Sequence, residues 1–173
     1  MGAHVTAIDR SHLRLEMLEK NLARLSLSAQ LVCADAGRWT PAASPDAVLL
    51  DAPCSATGTL RRHPDIAWLR TPPDIQKLAH GQTRLLKAAV TMLKPGGILV
   101  YCVCSLQPEE GEERIEALLA DGAPVRRLPA LATEIGAEPD WITKNGDLRC
   151  LPCHFSEKGG MDGFFAARLI KTA

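Results

Sequence analysis

Three short apolar runs, each stopping at an aspartate, constrain this chain more than any other feature. His4-Val5-Thr6-Ala7-Ile8 ends on Asp9, Gln30-Leu31-Val32-Cys33-Ala34 ends on Asp35, and Ala47-Val48-Leu49-Leu50 ends on Asp51. Runs this short, rich in β-branched and leucine side chains, predict strands. The third is continuous rather than alternating, so burial on both of its faces is expected. Between the first two, Leu15, Leu18, Leu22 and Leu25 recur at helical spacing behind Ser11, a residue suited to cap a helix. In open α/β sheets ligands sit beyond the carboxyl ends of the strands. Three carboxylates delivered to one sheet edge therefore point to a ligand site rather than to packing.

The third run continues as Asp51-Ala-Pro-Cys54-Ser-Ala-Thr-Gly58, an acid and a thiol followed by a small-residue turn. A strand that ends in a thiol returns at Ile98-Leu-Val-Tyr-Cys-Val-Cys104-Ser105. A polar loop with Arg61, Arg62, His63 and Trp68 lies between them. It is followed by Thr71-Pro-Pro-Asp74, which predicts a long helix with Ile75, Leu78, Leu85, Leu86, Ala89 and Leu93 on its inner face. Lys94-Pro-Gly-Gly97 ends that helix. Pro108-Glu-Glu110 opens another, with acids near its positive end and Ile115, Leu118 and Leu119 inside. Residues 122–147 read as irregular, with a strand at Val125–Leu128, and Gly163–Leu169 closes the chain as a strand. The order β-α-β-β-α-β-α-…-β describes an α/β, doubly wound sheet of the Rossmann type.

The bounds agree. At 173 residues the length suits one domain, residues 1–173, burying roughly 70% of its unfolded surface. Lys+Arg and Asp+Glu both number 20, so no global field draws the chain to nucleic acid or membrane. Any nucleic-acid contact must come from local clusters such as Arg61-Arg62-His63 or Arg126-Arg127. No apolar run is long enough to cross a membrane, and no membrane partner is expected. Six cysteines without an export signal read as reduced thiols in a cytoplasmic protein. Among them, Cys33 is expected to fill core, and Cys102 to be structural, on the face of the sheet opposite Cys104. Cys150-Leu-Pro-Cys153-His154 matches the spacing of a haem attachment site, but proline inside the motif argues against it. A four-sulfur zinc site from Cys102, Cys104, Cys150 and Cys153 is set aside on the argument that a strand splays such thiols apart, so no metal is expected. Alone, Asp9 and Asp35 could be turn or cap acids. Beside Asp51 and two thiols, ligand duty is the stronger reading.

The two cysteine motifs, with Lys94-Pro-Gly-Gly97, Pro108-Glu-Glu110, Arg149-Cys-Leu-Pro152 and Asp162-Gly-Phe-Phe-Ala-Ala-Arg168, resemble the RNA (cytosine-5)-methyltransferases over nearly the whole chain. The similarity is greatest to the bacterial type that modifies small-subunit ribosomal RNA. The paired cysteine motifs carry that resemblance; Lys-Pro-Gly-Gly alone would be weak. The resemblance implies a Rossmann-type class I methyltransferase with S-adenosylmethionine as cofactor and RNA, specifically ribosomal RNA, as substrate. By it Cys104 is the nucleophile that adds to cytosine carbon 6, and Cys54 helps release the methylated product. Asp9 takes the cofactor's ribose hydroxyls, Asp35 lies near the adenine amino group, and Asp51 reaches both the cofactor end and the target cytosine.

The family's first signature, a Gly-rich loop after the first strand, is absent, as is its N-terminal RNA-binding domain. The chain therefore reads as the C-terminal part of a catalytic domain, a sheet lacking its first, central strand. That gap would leave two apolar strand edges, with direct pairing of the two, filling by another chain, or a loosely held N-terminal unit as outcomes. Dimerisation or aggregation through those edges is an expected consequence. Two other readings compete. A DNA cytosine-5 methyltransferase would take its nucleophile from the Pro-Cys motif and lacks a second thiol like Cys104, so the pair argues against it. A non-catalytic RNA- or protein-binding fragment of such an enzyme would not bind S-adenosylmethionine.

Overall fold

The computed structural model describes residues 2–173, and the chain divides into two compact units, the first ending at Pro41 and the second running from Ala42 to Ala173. The first unit is a strand, a helix and a strand: β1 (Thr6–Asp9), α1 (His12–Arg24) and β2 (Gln30–Cys33). β1 and β2 pair in parallel, Thr6 opposite Gln30 and Asp9 opposite Cys33. The helix starts where Ser11 accepts a hydrogen bond from the Arg14 N–H, at 3.4 Å, as its side chain predicts. Leu15 is buried, Leu18 and Leu22 are half-buried, and Leu25 at the helix end is exposed. Cys33, expected in the core, is exposed instead. A two-stranded sheet under one helix covers only part of each strand.

The second unit holds β3 (Ala47–Asp51), α2 (Ile66–Leu69), α3 (Pro72–Met92), β4 (Ile98–Val103), α4 (Glu112–Ala120), β5 (Val125–Arg127), α5 (Ala132–Ile135), β6 (Leu148–Cys150) and β7 (Phe164–Lys171). Its sheet runs β3-β4-β7-β5, with β6 also pairing β7. β3 and β4 are parallel, and β7 is antiparallel to β4, β5 and β6. The long strand β7 makes this possible: β6 covers Phe164–Ala166 and β5 covers Leu169–Lys171 along the edge opposite β4. The antiparallel edge makes this a mixed sheet, and β6 escapes sequence reading because three residues carry too little pattern.

α3 begins as predicted, with Thr71 and Asp74 forming a capping box and prolines in the first turn. Its buried side packs with α4 onto one face of the sheet. Leu86, Leu93, Leu99, Tyr101, Ile115 and Phe165 lie in one cluster, each at most 1% exposed. The Pro108 segment is a short 3-10 turn over Pro108–Glu110, and α4 starts only at Glu112. Burial of β3 on both faces is not found. Val48 and Leu50 turn inward, but Leu49 is 73% exposed, because period 2 sends it to the face away from α3. β1 and β2 make up the sheet of the first unit, and β3 belongs to the five-stranded sheet of the second.

Candidate active site

Parallel pairing sets the site of the second unit. Asp51 lies opposite Cys102 at the carboxyl ends of β3 and β4, and the ladder continues one step further, Ala52 N–H donating to the Cys102 carbonyl at 3.0 Å. Both chains then leave the sheet side by side. After β3 the backbone passes Pro53, Cys54 and Ser55, and turns through Ala56 at φ 61°, a left-handed conformation costly for any residue with a Cβ. A 3-10 turn over Thr57–Thr59 follows.

Gly58 closes the turn onto the other thiol strand. Its N–H donates to the Cys104 carbonyl at 3.0 Å and its carbonyl accepts from the Gly163 N–H at 2.8 Å. A Cβ on Gly58 would lie 2.0 Å from the Gly163 oxygen, so no larger residue fits without moving backbone. Arg149 on β6 donates to the carbonyls of Ser105 and Leu106, at 3.3 and 2.7 Å, and holds the segment after Cys104. These contacts explain why a glycine four residues past Cys54 and the Asp162-Gly163 and Arg149-Cys150 pairs accompany the two cysteines.

The result is a thiol pair. Cys54 Sγ and Cys104 Sγ lie 3.5 Å apart, both half-buried, from positions fifty residues distant in sequence. The hydrogen bond from the Cys54 thiol brings Cys104 down to about 7, although burial and the Asp51 charge oppose it. The same bond, followed by burial, pushes Cys54 well up. One sulfur is thus set up as a thiolate near neutral pH and the other as its protonated donor. Asp51, exposed at the strand end, is 3.9 Å through Oδ1 from Cys102 Sγ.

The expectation that Cys102 faces away from Cys104 fails on strand geometry, because residues two apart in a strand share a face. Burial, then the Asp51 charge, pushes Cys102 up to about 11, which suits an inert thiol. The splaying argument against a four-sulfur site falls with that expectation. Cys150 is buried and Cys153 exposed, and among the described residues no group of three or more His, Cys, Asp or Glu is placed to hold a metal ion.

The expectation of three carboxylates on one sheet edge is met only for Asp9 and Asp35, because β3, which ends on Asp51, belongs to a different sheet. Asp9 closes β1, and Asp35 lies just past the end of the parallel β2. Each also serves its own backbone. Asp9 Oδ1 accepts from Ser11 N–H at 2.7 Å, and Asp35 Oδ1 accepts from Gly37 N–H at 2.9 Å. Both thus act as acceptors in their own turns, and Asp9 Oδ2 also lies 3.6 Å from Arg14 Nη1. Arg61 and Arg62 lean on the loop before β7: Arg61 donates to the Gly159 carbonyl at 2.7 Å and Arg62 pairs with Asp162.

Sequence reading gives no site role to one residue found here, Glu110, a helix-start acid within the Pro108-Glu-Glu110 motif. It is completely buried, with Ser55, Ser105 and Gln82 around its carboxylate. Two signals mark it. A serine follows each site cysteine, and Gln82 interrupts the apolar stripe of α3.

The sequence profile described as 16S rRNA methyltransferase RsmB/F matches residues 1–170. The ribosomal RNA small subunit methyltransferase B of Vibrio vulnificus (strain YJ016) is 43% identical over 172 residues, covering 98% of this chain and 37% of the relative. The protein of that name from Pasteurella multocida (strain Pm70) is 41% identical over 178 residues, with the same shares. The chain thus spans 37% of the length of these curated relatives. Among solved structures, NSun6 from Pyrococcus horikoshii with SFG is 30% identical with a TM-score of 0.78, over 99% of this chain and 42% of that one. A methyltransferase homolog protein from Pyrococcus horikoshii is 34% identical with a TM-score of 0.71, over 98% and 53%.

Proposed function

The chain belongs to the 16S rRNA methyltransferase RsmB/F family, and from that premise we propose that its thiol pair serves S-adenosylmethionine-dependent methylation of cytosine carbon 5 in RNA, with small-subunit ribosomal RNA as substrate. The observation that carries the reading is the 3.5 Å approach of Cys54 and Cys104 at the ends of neighbouring strands. Cytosine carbon 5 is a weak nucleophile until a thiolate adds to carbon 6. The Cys104 thiolate forms that carbon–sulfur bond, and the ring electrons displaced by it make carbon 5 reactive. S-adenosylmethionine, when bound, supplies the electrophilic methyl group. Loss of the carbon 5 proton to solvent then leaves its electron pair as the carbon 5–carbon 6 double bond and expels Cys104 as a thiolate, and Cys54 is the group beside it that assists this release.

The residues fit the cofactor. Two carboxylates at the carboxyl edge of a parallel strand pair, Asp9 closing β1 and Asp35 just past β2, match a ribose diol and an adenine amino group. Asp51 stands at the same end of the sheet as the thiols, where it can reach the cytosine. The target base must leave any stack to bring carbon 6 to a sulfur, so a single-stranded or looped site is the fitting substrate. Six free cysteines suit a reducing, cytoplasmic setting.

The test uses this chain supplemented with the parts of the Vibrio relative that it does not cover. Cys104→Ala is expected to abolish both methyl transfer and any denaturant-stable protein–RNA adduct. Cys54→Ala is expected to accumulate that adduct, because addition survives while release slows. The reverse pattern would exchange the two roles, and no adduct with either variant or the parent would remove the reading.

A further inference from the structure

We propose that Glu110 is the positioning residue of the thiol pair, the buried group that locks the two cysteine-bearing segments together; this rests on reading Cys54 and Cys104 as the reacting pair. Its carboxylate reaches both segments at the residue after each cysteine. Oε1 accepts from the Ser55 N–H at 2.9 Å and from Gln82 Nε2 at 3.1 Å. Oε2 accepts from Ser55 Oγ at 2.5 Å and from Ser105 Oγ at 2.6 Å. Ser55 Oγ and Ser105 Oγ are themselves 3.1 Å apart, and Thr57 Oγ1 stands within 3.3 Å of both.

Burying a carboxylate is costly unless donors replace its water, and here four do. A fold needing only a filled core would place an apolar side chain between α3 and the sheet at lower cost. The donors come from both thiol segments, so the acid sets a distance. Glu110 is anchored in turn. Its own carbonyl accepts from the Tyr101 hydroxyl at 2.5 Å, and that ring meets Phe165 edge-on at 6.5 Å. Gln82 bridges the arrangement further by donating to the Pro53 carbonyl at 2.9 Å, one residue before Cys54. Rigidity thus passes from the sheet through Glu110 to both sulfurs.

Geometry rather than charge is the contribution. Cys104 is lowered first by the hydrogen bond from Cys54, and the Glu110 carboxylate acts on it only as a weaker like charge that pushes upward. A neutral group of the same shape should therefore replace it. In Glu110→Gln the amide oxygen can keep the Ser55 N–H and Gln82, while its NH₂ donates to the two serine hydroxyls, which can accept as well as donate. Glu110→Ala leaves the two segments without their common partner.

The experiment treats the intact chain with diamide, whose N=N bond takes up two electrons and two protons as the Cys54 and Cys104 sulfurs join in an S–S bond, and follows the linked 54–104 peptide by mass spectrometry. Glu110→Ala is expected to slow linkage roughly tenfold, and Glu110→Gln to stay within about threefold of the parent. Alkylation of Cys104 should shift its pH midpoint upward from about 7 in Glu110→Ala, with Glu110→Gln restoring it, while Cys102 and Cys150 stay protected. A merely structural role would lower the melting temperature and expose all these thiols alike. Linkage in Glu110→Ala within about twofold of the parent would overturn the proposal. If that variant does not fold, Ser105→Ala decides, with several-fold slower linkage expected and an unchanged rate overturning it. Neither RNA nor cofactor enters the measurement, so failure of the methylation reading would be seen separately.

Discussion

In the unit ending at Pro41 one apolar side chain among the described residues, Leu15, is buried, at 7% exposure. In the unit from Ala42 onward Leu86, Leu99, Tyr101, Val103, Ile115 and Phe165 are all at most 1% exposed. The sequence patterns behind them are of similar quality: a capped amphipathic helix between two strands in the first, the same ingredients repeated in the second. What differs is the number of layers. Two strands and one helix leave Leu13, Met17, Leu25 and Leu27 at 53% exposure or more. Five strands under two helices surround their side chains from several elements. Burial of apolar surface scales with that enclosure, and pattern alone does not produce it.

The site residues follow the same division. Asp9 and Asp35 are held by backbone N–H groups two residues away, so their geometry is local. Cys54 and Cys104 are held through Gly58, Gly163, Arg149 and Glu110, whose hydrogen bonds join segments far apart in the chain. The acids should keep their turns when the fold is disturbed, and the thiols should lose their spacing.

The largest break in this comparison is expected from Phe165→Ala. Its ring is fully buried against Tyr101, so the variant should lose about 4 kcal/mol in urea unfolding followed by tryptophan fluorescence. A cost near that of Leu15→Ala would mean that the burial contrast has no energetic counterpart. Next comes Arg127→Met. Asp147 is 1% exposed, pushed up by burial and drawn back by the Arg127 charge, whose Nε lies 3.2 Å from its Oδ2. Stranding that acid should cost about 3 kcal/mol in the same measurement, and Arg127→Met with Asp147→Leu should recover most of it. The smallest effect sharpens the other side. Ser11→Ala removes the cap of α1 and should cost about 1 kcal/mol, seen as faster amide hydrogen exchange across α1 with β4 and β7 unchanged. Equal acceleration in β4 would contradict the local character assigned to the first unit.

Much of the fold was legible because strands and helices announce themselves by period. The three aspartate-ended runs, the proline-started α3 and the closing strand lie where side-chain spacing puts them. Less legible were short or compensated features. β6 has three residues, Leu49 sits in an unbroken apolar run yet faces outward, and Cys33 has a core residue's chemistry in an exposed place. Each depends on which neighbour covers a face, a fact that periodicity does not contain.

By itself the sequence determined the ingredients: three carboxylates at strand ends, two thiols at strand ends, and glycines where the backbone must turn or pass closely. Only the tertiary structure decided that Cys54 and Cys104 meet at 3.5 Å, and that Glu110 lies beneath both. The reason is physical. Side-chain chemistry and period are properties of neighbouring residues, whereas the distance between two sulfurs fifty positions apart depends on the β3–β4 register, on the turn at Ala56 and on a buried acid whose donors come from three separate segments.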